Sequence, residues 1–206
     1  MTIIRQIRPA VTLFICLSIL TGLLYPLGMT ALSNLLMPHE AQGSLLTSEG
    51  KIVGSQLIGQ NFIQPRYFHG RLSATSGPNP LDPSKSGPLP YNAAASAGSN
   101  LGPTSRALVD RVSETVAGLK AENPEAIAAG WKIPADLVTT SASGLDPDIS
   151  PEAAYFQVQR IARVRHLSEG SVRALIDRMI ARPLMGWLGE PHVNVLELNI
   201  ALDGLQ

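Results

Sequence analysis

The pattern of apolar and polar residues divides the chain near residue 37. Residues 11–36 form a run of 26 without a charged side chain, VTLFICLSILTGLLYPLGMTALSNLL. A helix of that length reaches roughly 39 Å, enough to cross the ~30 Å hydrocarbon core of a bilayer. The run therefore predicts a single transmembrane helix, in which Pro26 is expected to produce a kink.

Basic residues flank only the N-terminal end of this run. Arg5 and Arg8 precede it, whereas the first lysine or arginine after it is Lys51. The positive-inside rule predicts residues 1–10 in the cytoplasm and residues 37–206 outside it, in the periplasm or its equivalent. A cleaved signal peptide is the alternative, but its apolar region is shorter and ends in an A-x-A-like site. We therefore expect a single-pass protein of the inner (plasma) membrane, in contact with its lipid.

The residues after the apolar run alternate between extended and helical patterns. The segment LLTSEGKIVGSQL predicts a β-hairpin at residues 45–57, and VNVLELNIAL predicts a closing strand at residues 193–202. Apolar residues at helical spacing predict three helices, which run from Thr104 to Asn123, from Ser150-Pro151 onward, and from Ser168 to Pro183. These elements predict an extracytoplasmic α+β domain over residues 37–206.

Residues 65–103 carry few periodic apolar positions and predict a long loop with no helix or strand of its own. Such a loop is uncommon in a compact domain and is usually functional or ordered against another segment. Its last part, SAGSNLGP, can form an anion-binding nest or let another backbone approach closely, and the sequence leaves both open. The candidate nucleotide-binding or partner-binding residues are Ser96, Gly98, Ser99, Asn100 and Gly102.

Composition and motifs argue against catalysis by this chain. The 16 basic and 16 acidic residues balance, so no overall field attracts nucleic acid. The single cysteine, Cys16, lies in the apolar run, and no P-loop, G-x-S-x-G turn or zinc-type histidine spacing occurs. Asp146 and Asp148 are interpreted as a turn and helix start rather than an acid–base pair. We predict no catalytic residue, no metal site and no cofactor of its own.

Residues 157–179 support a different hypothesis, a helix-turn-helix that binds DNA. Two short amphipathic helices flank a turn at residues 167–170, with six arginines nearby. Those arginines spread over several helix faces, and the predicted topology places the segment outside the cytoplasm. A helical hairpin with solvated arginines is therefore the preferred interpretation.

Five blocks of sequence resemble the KdpC family, subunits of the bacterial Kdp potassium-transporting ATPases. In order along the chain the blocks are GSQLIGQNF (54–62), YFHGRLSA (67–74), YNAAASAGSNLGPTS (91–105), SGLDPDISPEAA (143–154) and LGEPHVNVLELNIALD (188–203). The chain departs from the family's pattern at Leu72, Ala97, Ser105 and Asp148.

The resemblance implies a non-catalytic accessory subunit of a complex that imports potassium at the expense of ATP. In that family a channel-like subunit conducts the ion and a P-type ATPase subunit hydrolyses ATP, so the complex handles both ATP and K⁺. The KdpC-like subunit is described as an assembly factor and catalytic chaperone that raises ATP affinity. Because a domain outside the cytoplasm cannot touch cytoplasmic ATP, we expect that effect to be indirect. Direct nucleotide binding by residues 96–102 is the alternative.

Overall fold

The structure is a computed structural model that describes residues 3–79, 82–183 and 185–205. These residues form two compact units, with the boundary between Leu45 and Leu46. Each unit has its own secondary structure, and the two are described in turn.

The N-terminal unit is helical. It comprises α1 (Ile3–Ile19), a π-helical turn (Leu20–Leu24), α2 (Tyr25–Leu36) and the short α3 (Pro38–Ala41). The continuous stretch Arg5–Leu36 is long and apolar enough to cross a membrane, and the residues of its most apolar window are not buried within the protein. The prediction of one N-terminal helix that could span a membrane is confirmed. Its orientation remains a prediction.

A π-helical turn occupies the place where a kink was expected. The N–H of Tyr25 donates to the carbonyl of Leu20, five residues earlier, instead of four. Pro26 follows directly and has no N–H to donate, so the wider turn accommodates its ring where an α-helical turn would clash. The hydroxyl of Thr21 donates to the carbonyl of Leu17 at 2.7 Å, which gives it a partner inside the helix.

The C-terminal unit mixes helices with small sheets. Its strands pair as β1–β2, β3–β4 and β5–β6, three two-stranded sheets of which the last two are antiparallel. In chain order the elements are β1 (Leu45–Ser48), β2 (Lys51–Ser55), β3 (Ser76–Asn79), β4 (Asp82–Pro88), α4 (Arg106–Glu122), α5 (Pro124–Ala128), a 3₁₀ turn (Ala135–Leu137), β5 (Asp148–Ile149), α6 (Pro151–Phe156), α7 (Val158–Arg165), α8 (Glu169–Met179), β6 (Val193–Asn194) and α9 (Val195–Asp203).

The predicted hairpin and helices are present with small shifts. The turn between β1 and β2 places Glu49 and Gly50 at φ 51° and 76°, as a tight hairpin turn requires. α4 begins after Ser105 rather than after Thr104. The second predicted helix breaks at Gln157 into α6 and α7. Ser150 and Ser168 cap α6 and α8 through their side chains.

The predicted C-terminal strand is wrong, because residues 195–203 form helix α9. The side chain of Asn194 accepts a hydrogen bond from the N–H of Glu197 and so starts a helix. Val195, Leu198 and Leu202 are then buried on one face at helical spacing. Only Val193 and Asn194 are extended, as β6 opposite β5.

The prediction that residues 65–103 contain no element is also wrong. β3 and β4 pair in antiparallel register from Ser76 opposite Pro88 to Pro78 opposite Ser86, with an irregularity beyond Pro78. Neither strand has the apolar alternation that marks a half-buried strand, since both are rich in proline, glycine and serine.

The helices enclose the core of the C-terminal unit. The largest of its fully buried apolar side chains come from α6 to α9 and from one residue of the long loop, namely Phe156, Ile161, Ile176, Leu198, Leu202 and Phe68. The arginines of α7 were expected to be solvated, which is wrong for two of them. Arg160 is 1 % exposed and the side chain of Arg165 is 1 % exposed.

Candidate functional site

The candidate segment at residues 96–102 lies against the backbone of residues 140–144. The N–H of Ala97 donates to the carbonyl of Ser143 at 2.9 Å, and the Ser96 hydroxyl donates to the same oxygen at 3.0 Å. Further along, the Thr140 hydroxyl donates to that of Ser99 at 3.3 Å. The first half of the segment is therefore ordered by the chain itself.

Two glycines allow this contact. A Cβ on Gly98 would lie 2.7 Å from the carbonyl oxygen of Ala142. A Cβ on Gly144 would lie 2.6 Å from the carbonyl oxygen of Ala97, and Gly144 also has φ +68°. Of the two possibilities left open by the sequence, these distances describe close backbone approach.

The other candidates lie beyond this contact. Asn100 has a positive φ of 50°. A Cβ on Gly102 would meet nothing within 4 Å, and its carbonyl accepts the N–H of Ser105 just before α4. Whether these residues contact a nucleotide or a partner stays a prediction.

A network of hydroxyls holds the long loop on the other side of Gly144. Ser73 donates to the carbonyl of Gly144 at 2.7 Å and accepts the N–H of Tyr91 at 2.9 Å. Thr75 donates to the carbonyl of Leu89 at 2.6 Å and accepts the N–H of Asn92 at 3.0 Å. Sequence reasoning did not single out Ser73 or Thr75, since hydroxyl residues in a loop rich in serine carry no distinguishing pattern.

Tyr91 joins the loop to an ion pair. Its hydroxyl donates to the carbonyl of Arg71 at 2.7 Å, and Arg71 pairs with Asp146 at 3.0 Å. The ring leaves no room for a side chain at Gly59 or Gly70, where a Cβ would lie 2.4 Å and 2.8 Å from Tyr91 atoms. Burial, with the charge of Asp146, raises the pKa of Tyr91 to about 12, so the phenol stays protonated as a donor.

Asp146 and Asp148 form a turn, as the sequence indicated. The side chain of Asp146 accepts the N–H of Asp148 at 3.1 Å. Burial raises the pKa of Asp148, although His192, whose Nε2 lies 4.0 Å away, opposes that shift.

A buried arginine orders the start of the long loop. Arg160 of α7 donates to the carbonyls of Pro65 and Tyr67, the latter at 3.0 Å. It also donates to the side chains of Asn123 at 3.1 Å and Gln157 at 2.6 Å. Burial lowers the pKa of Arg160 to about 10, which leaves it charged at neutral pH. Its donors thus replace the strand partner that residues 65–67 lack.

Two amide side chains complete this arrangement. Gln157 accepts the N–H of His69 at 2.8 Å and donates to its carbonyl at 3.1 Å. Asn199 of α9 does the same for Phe68, at 2.9 and 3.0 Å. Each amide therefore mimics a neighbouring strand for one residue of the loop.

His69 is the histidine most embedded in this network. Its Nδ1 lies 3.4 Å from Glu122, and its Nε2 lies 3.2 Å from the carbonyl of Gln64. Burial, followed by the charge of Arg160, lowers the pKa of His69. With its ring held by Glu122 and Gln64, His69 has a structural role in the loop.

Four of the six arginines near the proposed helix-turn-helix contact other parts of the domain. Arg165 donates to the carbonyl of Arg66 and pairs with Asp203 at 2.6 Å. Arg163 pairs with Glu125, and Arg173 lies over the ring of Trp131. With Arg160 buried as well, these side chains do not form the exposed basic stripe typical of a DNA-binding face.

A groove of about 680 Å³ lies beside Arg71 and Asp146. We refer to it as the acidic groove, because five carboxylates line it against two cationic side chains, for a net formal charge of −3 with His192 neutral. These charged residues are Asp136, Asp146, Asp148, Glu152 and Glu190, with Arg71 and Lys132. Among residues 3–79, 82–183 and 185–205, no three histidine, cysteine or acidic side chains are grouped as metal ligands would be.

Comparison with known proteins gives one consistent result. Residues 7–204 match the sequence model of the family described as KdpC, the K⁺-transporting ATPase c chain. The potassium-transporting ATPase KdpC subunit of Rhodopseudomonas palustris strain BisB18 is 58 % identical over 200 residues, which cover 97 % of this chain and 98 % of that protein. The KdpC subunit of Bradyrhizobium diazoefficiens is 57 % identical over 97 % of each chain, and that of Methylobacterium nodulans is 57 % identical over 98 % of each.

Proposed function

Because this chain belongs to the KdpC family, the c chain of K⁺-transporting ATPases, we propose that it serves its complex as a non-catalytic assembly and regulatory subunit. Membership makes it an accessory membrane subunit that works with the other subunits of the ATPase. The family match over residues 7–204 carries the proposal. The candidate span Arg5–Leu36 supports it, since one helix suits an anchored accessory subunit better than an ion pathway.

The proposed topology places the C-terminal unit outside the cytoplasm. Arg5 and Arg8 precede the span, and no lysine or arginine follows it before Lys51. In that position the domain covers the extracytoplasmic face of the potassium-conducting subunit. The ATPase subunit, which hydrolyses ATP in the cytoplasm, is reached only through the membrane-spanning parts of the complex.

From this topology we derive an indirect effect on ATP affinity. A subunit that binds one conformation of a complex more tightly shifts the population toward that conformation, and linkage then changes the affinity for any ligand that prefers it. Ser96, Ala97 and Ser99 already have partners in the domain, which favours a structural role for this part of the loop over a nucleotide cradle.

Deletion of the chain tests the function. The remaining subunits should assemble poorly, and any complex that forms should need more ATP to reach half of its potassium-stimulated ATPase rate. Full assembly with unchanged potassium-dependent activity and unchanged KM for ATP would refute the proposal.

An accessibility measurement tests the topology. Ser84 lies exposed in β4, so a Ser84→Cys substitution, with Cys16→Ala to remove the native thiol, adds one accessible cysteine to the domain. In intact cells with a permeabilised outer membrane, a membrane-impermeant maleimide should label it. Labelling only after lysis would place the domain in the cytoplasm and would favour direct nucleotide binding by residues 96–102. A photoreactive ATP analogue should label the ATPase subunit and leave this chain unlabelled.

A further inference from the structure

Three large apolar side chains are exposed in the described part of the loop between α8 and β6. Met185, Trp187 and Leu188 are 79 %, 73 % and 54 % exposed, and we call these three residues the apolar tip. Two backbone hydrogen bonds between Ala181 and His192, of 2.9 and 3.2 Å, close the base of the loop. These hydrogen bonds hold the two ends of the loop that carries the apolar tip together.

The backbone of the tip is tightly turned. Met185, Gly186 and Gly189 all have positive φ, at 56°, 80° and 108°. Glycine adopts such conformations without steric cost, so Gly186 and Gly189 suit this turn, whereas the positive φ of Met185 is unfavourable for a residue with a side chain. Three large apolar side chains exposed within four residues favour an interaction site, because single exposed apolar residues are ordinary and groups of them are not.

The C-terminal limb of the same loop continues into the acidic groove. Glu190, Pro191 and His192 line that groove, whose net formal charge is −3. A membrane surface rich in anionic lipid would be repelled by these carboxylates, whereas a protein surface that carries lysine or arginine would be attracted. The charge beside the tip therefore favours a protein partner that has a basic group next to an apolar socket.

We propose that the apolar tip and the acidic groove form one docking surface for the potassium-conducting subunit. Trp187 fills an apolar socket on the extracytoplasmic face of that subunit, and a lysine or arginine beside the socket enters the groove near Glu190. Tryptophan and methionine are enriched at the centres of protein interfaces, where a few buried anchors supply most of the affinity. This docking mode rests on the proposed function, because it needs the domain outside the cytoplasm and next to that subunit.

A cysteine at the tip reports what covers it. In the full chain with Cys16→Ala, Leu188→Cys adds a thiol beside Trp187 while leaving the tryptophan in place. The labelling rate by a membrane-impermeant maleimide is measured on this chain by mass spectrometry, first alone in lipid nanodiscs and then in the purified complex. We expect rapid labelling alone and about tenfold slower labelling in the complex. Trp187→Ala, added to the same chain, should restore rapid labelling in the complex.

Each alternative outcome overturns the inference. Slow labelling of the chain alone in nanodiscs would show that the bilayer covers the tip. Equally rapid labelling in both samples would show that nothing docks there. A benzophenone attached at position 188 should crosslink within the complex to an extracytoplasmic loop of the potassium-conducting subunit, and a crosslink to lipid or to the ATPase subunit would also refute the assignment.

A charge reversal tests the groove with a matched control. Glu190→Lys should weaken retention of the potassium-conducting subunit on the tagged chain about tenfold. Glu114→Lys makes the same change on the exposed face of α4 and should leave retention unchanged. Equal effects of the two would mean that only total charge matters, which contradicts the inference.

If the unmodified chain retained no ATPase subunit at all, the proposed function itself would fail, whereas an assembled complex with an exposed tip would refute only the docking mode.

Discussion

Gln157 pairs with both main-chain groups of His69, accepting its N–H at 2.8 Å and donating to its carbonyl at 3.1 Å. Gln157 is fully buried at the junction of α6 and α7, while His69 belongs to a loop with no neighbouring strand. The helices therefore supply the hydrogen bonds that a sheet would otherwise give this segment.

Loss of the Gln157 amide should destabilise the domain without changing its charge. Gln157→Leu leaves the buried backbone groups of His69 without partners, which should lower the free energy of unfolding by about 2–4 kcal/mol. Denaturant titration of the full chain in detergent, followed by circular dichroism, measures this. The control Asn61→Ala removes an amide from an exposed residue and should change stability by less than about 0.5 kcal/mol. Similar losses for both would contradict the assigned role of Gln157.

Arg160 should tolerate neither an apolar residue nor lysine. Arg160→Met strands the carbonyls of Pro65 and Tyr67, and we expect a loss of about 3–5 kcal/mol. Arg160→Lys keeps the charge but cannot reproduce a planar fork with several partners, so it should recover only part of that loss. Thermal unfolding of the two variants beside the parent chain checks the order. A lysine variant as stable as the parent would show that charge alone matters here.

His69 should make the domain less stable in mild acid. Because burial and Arg160 lower its pKa in the folded state, the unfolded chain binds a proton more readily just below the ordinary value of 6.5. Stability should therefore fall as the pH drops through about 6.5, and it should level off below the folded-state pKa. The nearby Glu122 opposes the shift, and the Gln64 carbonyl does so as well.

The neutral variant His69→Gln isolates this contribution. Its free energy of unfolding, subtracted from that of the parent between about pH 8 and pH 5, removes the titration of other groups that the two chains share. A difference that stays flat over this range would show that His69 has the same proton affinity in both states.

Gly98 and Gly102 should respond differently to a methyl group. Gly98→Ala places a Cβ against the carbonyl of Ala142, so residues 96–99 must move from residues 140–144, at a cost of about 1–3 kcal/mol. Gly102→Ala meets open space and should be nearly neutral. Limited proteolysis of the full chain should cleave the Gly98 variant faster near this loop. Equal protease resistance of the two variants would argue against the backbone contact.

The sequence was sufficient to predict the elements whose own residues carry the periodic signal. α4 and α8 show apolar stripes with clear ends, and the β1–β2 turn has the residues that its backbone requires. Helix α9 has a β-branched and leucine-rich composition that is also typical of a strand. Its packing against α8 and the Asn194 cap favour the helix instead. Effects of tertiary packing on secondary structure cannot be inferred from a short stretch of sequence.

The side chains that hold the long loop were harder to predict, because their partners are distant in the sequence. Arg160 and Asn199 bond to main-chain groups that lie 93 and 131 residues away in the chain. Their partners therefore cannot be inferred from sequence spacing. An arginine on an amphipathic helix is usually solvated, whereas Arg160 is buried because it donates to loop carbonyls that have no strand partner. The glycines of residues 96–102 were recognised, whereas the opposing segment that needs them was not.

The π-helical turn changes the directions in which the side chains of the two halves of the span face. One extra residue in a helical turn rotates everything after it by about 100° relative to an uninterrupted α-helix. Side chains before Leu20 and after Leu24 that would have formed one continuous stripe therefore face different directions around the helix axis. A single-residue deletion within this turn would rephase the two halves of the span, and it would do so while shortening the span by only about 1.5 Å.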